Sequence, residues 1–317
     1  MLENVEYKVD GTKRLAVLDI GGTSIKSGCY IDGVLTDQKE QPTNASKGSA
    51  YVMETVKEIL RGQKFDGIGI STAGQVNFAE GYISYANSNL PGYMGTRIRD
   101  ILEAEFGVPV VVENDVNAAA IGEAVYGAGK DLGDFICLTY GTGVGGAIIM
   151  NGEIYRGSSF SAGEMGAMII HPEERRASED MYSGCYEKYA STTGLVKRAL
   201  QVDASLDNGR KIFAALDREE VRAAVDAWID EITLGLVSLI HIFNPSGIVL
   251  GGGVMAQPYV LEQTRTKVME SIMETYRHVK IVNASLGNEA GMFGAAYLLQ
   301  KKMAEKGVTH EKHERES

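Results

Sequence analysis

The 317-residue chain has only three cysteines and no long apolar run. Cys29, Cys137 and Cys185 are far apart and odd in number, which argues against a disulfide framework. The longest apolar runs are well short of the roughly 20 residues that a membrane-spanning helix needs. The first residues, MLENVEYKVDGTKR, lack the apolar core of a signal peptide. We therefore expect a cytoplasmic protein with no membrane partner.

The chain also lacks an excess of basic residues. It has 31 Lys and Arg against 42 Asp and Glu, so its formal net charge is −11. This charge argues against nucleic acid as a main partner. Hydrophobic residues make up 44% of the chain, which is enough for a sizeable core, and the length predicts about two domains.

A closed zinc site is missing from the segment that comes nearest to one, SAGEMGAMIIHPEERRASEDMYSGCYEKYAS (residues 161–191). A structural zinc site usually takes about four Cys or His ligands in paired spacing, and here Cys185 stands alone. His171 lies in the polar stretch HPEERR, and His241 lies in an apolar helical pattern. We expect neither histidine to bind a metal.

Two glycine-containing segments of the chain resemble each other: LAVLDIGGTSIKSGCYIDGVL (residues 15–35) and FICLTYGTGVGGAIIMNGEIY (residues 135–155). Each has an apolar strand pattern, a turn of small residues, a second strand, an Asp-Gly or Asn-Gly hairpin signal and a third strand. Each therefore predicts a three-stranded antiparallel β-meander. A dinucleotide-binding motif is excluded because a strand, not a helix, follows the glycines.

The two small-residue turns contain Gly21-Gly22-Thr23 and Gly141-Thr142-Gly143. Glycine lets the backbone approach a ligand closely, and exposed backbone N–H groups in such turns suit phosphate. The alternative is that the glycines only make tight turns. Two matching turns in one chain favour phosphate binding.

Further along, VPVVVE (residues 108–113) predicts a buried strand, and NDVNAAAIGEAVYG predicts a helix that starts at Asn114 and Asp115. These two residues are either helix caps or a reactive pair aimed into a cleft. Residues 49–62, 211–243 and 288–302 also have helical patterns, and the charged tail from residue 305 is expected to fray.

Taken together, these motifs resemble the ROK family of repressors and sugar kinases from about residue 14 to residue 300. The matching motifs are LAVLDIGGTSIK, GIGISTAGQV, VVENDVNAAAIGE, LTYGTGVGGAII and GIVLGGGV. The resemblance implies an α/β protein with the actin-like ATPase (ribonuclease H-like) fold, two domains with a duplicated β-meander, and a cleft between them. It places residues 1–118 and a C-terminal helix at about 290–317 in the smaller domain, and residues 119–289 in the larger one.

The resemblance also implies a sugar kinase that uses ATP and Mg²⁺. Asp115 matches the family's catalytic base, which takes the proton of the sugar hydroxyl. The residues that match sugar contacts are Asn89, Asn114, Glu164 and Glu187. For Asn89 the alternative is that it only caps its loop.

The nucleotide side of the resemblance involves Asp19 and three glycine turns. Asp19 matches a carboxylate that lies near the magnesium ion and holds it through water. The residues that match phosphate or adenosine contacts are Gly21, Gly22, Thr23, Gly141, Thr142, Gly143, Gly252 and Gly253. Lys26, just past the first turn, is expected to be solvated.

The family's zinc ligands are largely replaced in this sequence. Ala167, Ser178 and Asp180 stand at three ligand positions, and Cys185 alone remains. The resemblance therefore predicts no structural zinc and a segment held by ordinary packing.

Ala167 also bears on the substrate, since the family's histidine at this position touches the sugar near C1. Alanine leaves space there, which a β-glucoside would need; the alternative is that Ala167 only reflects the lost zinc. Glucose and N-acetylmannosamine are the rival substrates, each phosphorylated on a primary (6-) hydroxyl.

Two other functions fit the family: a sugar-responsive repressor and a silent sugar-binding protein. About 14 residues precede the first strand, which are too few for the winged helix that such repressors carry. A homodimer is expected from the resemblance.

Overall fold

The computed structural model describes residues 12–315, with side chains up to Glu305. The chain divides into two compact units. The first contains the chain up to Lys130, the segment Glu153–Ala162 and the chain from Asn288 onward; the second contains Asp131–Gly152 and Gly163–Gly287. The first unit thus extends past the boundary expected at residue 118, because one continuous helix, α3 (Asp115–Tyr126), covers that position.

The sheet of the first unit has the strand order β3-β2-β1-β4-β7. Its strands are β1 (Leu15–Ile20), β2 (Ser24–Ile31), β3 (Val34–Pro42), β4 (Gly67–Thr72) and β7 (Val110–Asn114). The first three strands are antiparallel neighbours, and the turn between β2 and β3 has positive φ at Asp32 and Gly33. The first predicted meander is confirmed. Strands β4 and β7 extend the sheet in parallel with β1, and β5 (Gln75–Asn77) pairs with β6 (Tyr82–Tyr85) in a separate hairpin.

Small residues bring two helices of the first unit close together. The helices of this unit are α1 (Ser49–Leu60), α2 (Ile98–Phe106), α3 and α9 (Ala290–Arg315). A Cβ on Gly294 of α9 would lie 1.8 Å from the Ala118 carbonyl oxygen of α3, and one on Gly122 would lie 2.3 Å from the Ala290 oxygen. Only glycine fits at these positions. The tail that we expected to fray continues α9 to Arg315, because its Glu and Lys residues are good helix formers.

The second unit repeats the plan of the first. Its strands β8 (Phe135–Tyr140), β9 (Val144–Met150), β11 (Gly247–Gly251) and β12 (Lys280–Asn283) lie in the order β9-β8-β11-β12. Strand β9 is antiparallel to β8, whereas β11 is parallel to both β8 and β12. Asn151 and Gly152 have positive φ and lead into the two-residue strand β10 (Glu153–Ile154). The predicted second hairpin is confirmed, with a much shorter third strand.

The helices of the second unit pack around Trp228, which is fully buried and donates its Nε1–H to the Ala190 carbonyl oxygen at 2.9 Å. They are α4 (Tyr186–Ala190), α5 (Thr192–Val202), α6 (Gly209–Ala214), α7 (Glu219–Phe243) and α8 (Pro258–Ser271). The helical pattern predicted over residues 211–243 is confirmed for most of its length, with a break between α6 and α7. There Arg218, in extended conformation, caps α7 and forms an ion pair with Asp203.

Two expectations from composition can be compared with the structure. Cys29, Cys137 and Cys185 are buried, and none of them forms a disulfide among the described residues. Within residues 12–315, we find no helix with both the length and the apolarity to span a membrane.

Candidate active site

The parallel strands of the first unit bring several polar residues to one edge of the sheet. Asp19 of β1 pairs in register with Ser71 of β4, and Thr72 of β4 pairs with Asn114 of β7. Because the three strands run in the same direction, their carboxyl ends meet at this edge. It is the edge where open α/β sheets usually bind ligands. Asp115 follows directly, as the first residue of α3.

Asn114 both caps α3 and orients Asp115. Its Oδ1 accepts the backbone N–H groups of Val116 and Asn117 at 3.0 and 3.1 Å. Its Nδ2 donates to Asp115 Oδ1 at 2.8 Å and to the Gly74 carbonyl oxygen at 2.9 Å. Val116 N–H also donates to Asp115 Oδ1, so among the described residues Oδ2 has no donor. Asn114 therefore fills the cap and leaves one Asp115 oxygen open to a proton.

Asp115 has the acidity of a base that works near neutral pH. Burial raises its pKa to about 7, and the negative charge of Asp19 adds to the effect. The hydrogen bonds from Val116 and Asn114 oppose this rise but do not cancel it. A general base is most effective when its pKa lies near the working pH. Perturbed pKa values of this kind are concentrated at functional sites.

Asp19 lies in a polar but enclosed position. Ser71 Oγ donates to its Oδ1 at 2.7 Å, and Lys26 Nζ lies 3.9 Å from its Oδ2. Burial nevertheless raises the pKa of Asp19 above its ordinary value. The expectation that Lys26 is merely solvated was wrong, since this side chain turns toward Asp19. A single carboxylate beside an exposed turn fits Mg²⁺, which takes one or two carboxylates and completes its shell with phosphates and water.

The first glycine turn is braced by Thr43. Thr43 donates its hydroxyl to the Gly21 carbonyl oxygen at 2.7 Å and its N–H to the Thr23 oxygen at 2.9 Å. Gly21 N–H donates to the Ser24 oxygen, which closes the turn. Gly22 and Thr23 are exposed at the tip, and their amides have no backbone acceptor among the described residues. A braced turn with such amides suits an anion.

The second glycine turn, in the second unit, has the same construction. Gly141 N–H donates to the Gly143 oxygen at 3.0 Å, and Thr193 Oγ1 donates to the Thr142 oxygen at 2.8 Å. Thr142 is exposed at the tip. After the neighbouring strand β11, Gly252 has φ +106°, and a Cβ there would lie 2.2 Å from the Tyr140 carbonyl oxygen. The third glycine turn therefore lies against the end of β8, with Gly253 exposed.

Glu187 packs against the second glycine turn. Its Oε2 accepts the Val144 N–H at 3.1 Å, and a Cβ on Gly143 would lie 2.0 Å from that oxygen. Gly166 is equally constrained, because a Cβ there would lie 2.4 Å from the Val144 carbonyl oxygen. Gly166 is in the short helical turn Met165–Ala167 that follows the exposed Glu164. The second unit thus brings Glu187, the glycine turn and the chain after Glu164 together.

Asn89 lies in an exposed turn after β6. Its backbone N–H donates to Asn87 Oδ1 at 3.1 Å, so Asn87 is the residue that caps this turn. The side chain of Asn89 is exposed, and its role as a sugar contact stays a prediction.

A guanidinium group organises the segment where the family's zinc ligands are replaced. Arg175 Nη1 donates to the carbonyl oxygens of Met181 at 2.5 Å and Ser183 at 2.9 Å, and it lies 3.7 Å from Cys185 Sγ. At the remaining ligand positions, Ala167 and Ser178 are exposed, and Asp180 pairs with Lys188 at 2.8 Å. The sequence predicted ordinary packing here and missed the polar contribution of Arg175.

His171 joins the same segment to α7. Its Nε2 lies 2.8 Å from Glu231 Oε2, and its Nδ1 lies 3.0 Å from Glu173 Oε1. Among the described residues, its ring nitrogen and the carboxylates of Glu173 and Glu174 lie within 4.8 Å of one another. Glu173 is 66% exposed and Glu174 accepts the Tyr189 hydroxyl, so these groups are engaged with protein partners. We assign no metal to them.

Comparison with known proteins identifies the family. The model of the ROK family matches residues 15–302. The chain belongs to the ROK family. A β-glucoside kinase of Listeria monocytogenes is 33% identical over 294 residues, which are 90% of this chain and 96% of the relative.

Solved structures agree with the family assignment. A Listeria monocytogenes protein described as a proposed N-acetylmannosamine kinase has a TM-score of 0.82 and 32% identity, covering 92% of this chain and 99% of its own. A ROK family glucokinase from Streptomyces griseus, in complex with glucose and AMPPNP, has a TM-score of 0.78 and 28% identity, covering 91% and 99%. The chain has the two-domain actin-like ATPase fold of these kinases, as the sequence predicted.

Proposed function

We propose that this ROK protein is an ATP-dependent sugar kinase that phosphorylates the primary 6-hydroxyl of a hexose or hexoside. The observation that carries the proposal is Asp115, a carboxylate with a pKa of about 7 at the carboxyl end of β7. It is oriented by Asn114 and lies in the same unit as Asp19 and the first glycine turn. The relatives named as kinases support the same reaction.

In the proposed reaction, Asp115 takes the proton of the sugar hydroxyl through its open Oδ2. The hydroxyl oxygen forms a bond to the γ-phosphorus while the bond between that phosphorus and the β–γ bridging oxygen breaks, which releases ADP. Asn114 keeps Asp115 Oδ1 occupied and so fixes the direction of Oδ2. A positioned base of this kind contributes about 10²–10⁴-fold to the rate. Magnesium bound with the nucleotide phosphates would neutralise developing charge, and Asp19 is the residue that would hold it through water.

The nucleotide contacts that we propose are made mainly by backbone. Both glycine turns have amides without a backbone acceptor among the described residues, at Gly22 and Thr23 in the first turn and at Thr142 and Gly143 in the second, and we propose that they bind phosphate oxygens. Gly252 and Gly253 form the turn that we propose lies beside adenosine. The similar hydrogen bonding of the first two turns supports phosphate binding by both.

For the sugar, we propose contacts from Asn89, Asn114, Glu164 and Glu187, and a β-glucoside as the substrate. Ala167 supports this choice because it is small and exposed, and because it ends the turn whose Gly166 packs on Glu187. The kinship with β-glucoside kinases points the same way. N-acetylmannosamine and glucose are the alternatives, since other relatives are named for them.

Three further properties belong to the proposal: no structural zinc, a homodimer, and a cytoplasmic location. Arg175 supports the first, because its guanidinium already joins the parts of the segment that a metal would join. The three buried cysteines, which form no disulfide among the described residues, support the third. A DNA-binding repressor is disfavoured by the net charge of −11.

A coupled assay of ADP release with ATP and magnesium tests the proposal. The sugars are methyl β-glucoside, cellobiose, glucose and N-acetylmannosamine, with 6-deoxyglucose as a control that lacks the accepting hydroxyl. Turnover on the first two supports the β-glucoside assignment, and turnover on free hexoses alone would replace it with a hexokinase. No turnover with any sugar, together with retention of DNA in an electrophoretic shift assay, would favour a repressor.

A further inference from the structure

The residue before the Asn114-Asp115 pair is a buried carboxylate, Glu113. It lies in β7 and is only 1% exposed. Its Oε2 accepts Arg156 Nε at 2.8 Å, and Arg156 Nη2 lies 2.6 Å from the same oxygen. Because two nitrogens of one guanidinium contact the same buried oxygen, Arg156 fixes the orientation of the Glu113 side chain.

The other oxygen of Glu113 holds the start of α3. Glu113 Oε1 accepts the Asn114 backbone N–H at 2.9 Å and the Asn117 side-chain Nδ2 at 3.2 Å. Asn114 in turn donates to Asp115 Oδ1 and to the Gly74 oxygen. A continuous chain of hydrogen bonds therefore runs from Arg156 through Glu113 and Asn114 to Asp115.

Arg156 is itself fixed from the opposite side. Its guanidinium lies over the ring of Phe78, with 3.8 Å from its central carbon to the ring centroid. Arg156 belongs to the segment Glu153–Ala162, which is part of the first unit although the chain on both sides belongs to the second. Within this segment Ser161 Oγ donates to Gln75 Oε1 at 3.0 Å, and Glu153 pairs with Lys301 at 2.6 Å. Contacts at several points hold the segment, and the guanidinium, against β7.

We infer that Arg156 is a positioning residue for Asp115, acting through the ion pair with Glu113; this inference rests on the proposed kinase reaction. Without Arg156, the Glu113 side chain would lose the contacts that fix its orientation, and the hydrogen bond that holds Asn114 would weaken. Asp115 Oδ2 would then lose its fixed direction toward the sugar hydroxyl. The loss falls on kcat more than on the KM for ATP, because Arg156 contacts neither glycine turn.

The structure supplies a chemical test of this role. A cavity of about 250 Å³ beside Arg156 is lined also by Phe78, Arg99, Val111 and Lys301. In Arg156→Ala this space grows by the missing side chain, so guanidinium or ethylguanidinium ions from solution have room to pair with Glu113. A positioning role through charge predicts rescue by such ions, which general destabilisation does not.

The experiment measures kcat, KM for ATP and KM for sugar in five proteins: wild type, Arg156→Ala, Arg156→Lys, Glu113→Gln and the control Arg61→Ala. Arg61 is an exposed arginine of the first unit that pairs with Glu54 and Glu105. We expect kcat to fall about tenfold to a hundredfold in Arg156→Ala and Glu113→Gln, as for small misplacements of a reacting group. Arg156→Lys should lose less, because lysine keeps the charge but not the two-nitrogen contact or the ring stacking. Arg61→Ala should stay within about twofold of wild type, because exposed ion pairs contribute little.

Ethylguanidinium should raise the kcat of Arg156→Ala several-fold and leave Glu113→Gln unchanged. The inference is overturned if folded Arg156→Ala has the wild-type kcat, or if ethylguanidinium does not restore the kcat that this variant loses. If Arg156→Ala does not fold, a wild-type kcat in both Arg156→Lys and Glu113→Gln overturns the inference. A wild-type protein without any turnover contradicts the proposed kinase instead. In that case a ¹³C NMR titration of Asp115 decides: a midpoint that moves in Arg156→Ala or Arg156→Lys supports the positioning role, and an unmoved midpoint overturns it.

Discussion

Replacing the proposed base with an amide should make the protein more stable at neutral pH. In Asp115→Asn the buried carboxyl group, whose pKa burial raises to about 7 from an ordinary 3.8, becomes an uncharged group of the same shape. The folded state of the wild type therefore keeps a proton between about pH 4 and pH 7 that the unfolded state has released. The free energy of unfolding falls as pH rises through this window, and above pH 7 the whole penalty is present.

The size of the effect follows from the two pKa values. Each pKa unit corresponds to about 1.4 kcal/mol, so the raised pKa of Asp115 destabilises the folded state by at most about 4 kcal/mol at pH 8, where the group is ionised. At pH 5, where the folded state keeps a proton that the unfolded state has released, the cost is at most about 2 kcal/mol. Because the residue is partly exposed, solvent screening reduces both values, and we expect roughly half. The increase in the free energy of unfolding caused by Asp115→Asn should then be about 1 kcal/mol larger at pH 8 than at pH 5. For a unit of this size that difference corresponds to about 2–4 °C in Tm.

Thermal unfolding of wild type and Asp115→Asn at pH 5 and pH 8 measures this difference. Glu58→Gln, on an exposed residue of α1 in the same unit, is the control for the loss of one charge. The transition of the first unit is the relevant one, since the two compact units need not unfold together. If Asp115→Asn raises the Tm equally at both pH values, or more at pH 5, the assignment of a raised pKa to Asp115 is refuted.

Three other expectations concern Asp115, the second glycine turn and the segment that Arg175 holds together. The kcat should rise with pH up to about 7 and then level off, because Asp115 accepts a proton only when ionised; a flat pH–rate profile from pH 5 to pH 8 would count against it. Gly143→Ala should raise the KM for sugar by about tenfold or more, because the new Cβ would lie 2.0 Å from Glu187 Oε2 and would displace that carboxylate. In the control Gly133→Ala the new Cβ lies 3.8 Å from Ser246 Oγ, so the KM for sugar should not change. Equal KM values for the two variants in steady-state assays would show that Glu187 does not contact the sugar. Arg175→Ala should lower the free energy of unfolding by about 1–3 kcal/mol in urea titrations, while dialysis of the wild type against a chelator should have no effect; destabilisation by the chelator would reveal a structural metal.

Local patterns in the sequence predicted the elements that frame the site. The Asp-Gly and Asn-Gly pairs marked both hairpins, because positive φ at Asp32-Gly33 and Asn151-Gly152 is what such turns require. The strand–cap–helix pattern before Asp115 correctly placed this residue at the end of β7 and the start of α3. These features depend on residues that are adjacent in the chain, so one sequence is enough to find them.

Contacts between residues that are distant in the sequence could not be predicted in this way. Nothing in the pattern around Arg156 shows that its guanidinium lies against Glu113, and Lys26 looked solvated although it turns toward Asp19. Arg175 sits in a run of charged residues whose composition predicts a solvated surface, yet it binds two backbone carbonyl oxygens. Each of these contacts is decided by which elements the fold brings together.

The most direct test of the kinase proposal compares sugar binding and ADP release in wild type and Asp115→Asn. Calorimetry measures sugar binding, and the coupled assay measures ADP release at saturating ATP, magnesium and the best sugar of the panel. We expect both proteins to bind the sugar with similar affinity and only the wild type to release ADP at a measurable rate. Equal rates of ADP release from the two proteins would contradict the assignment of Asp115 as the base.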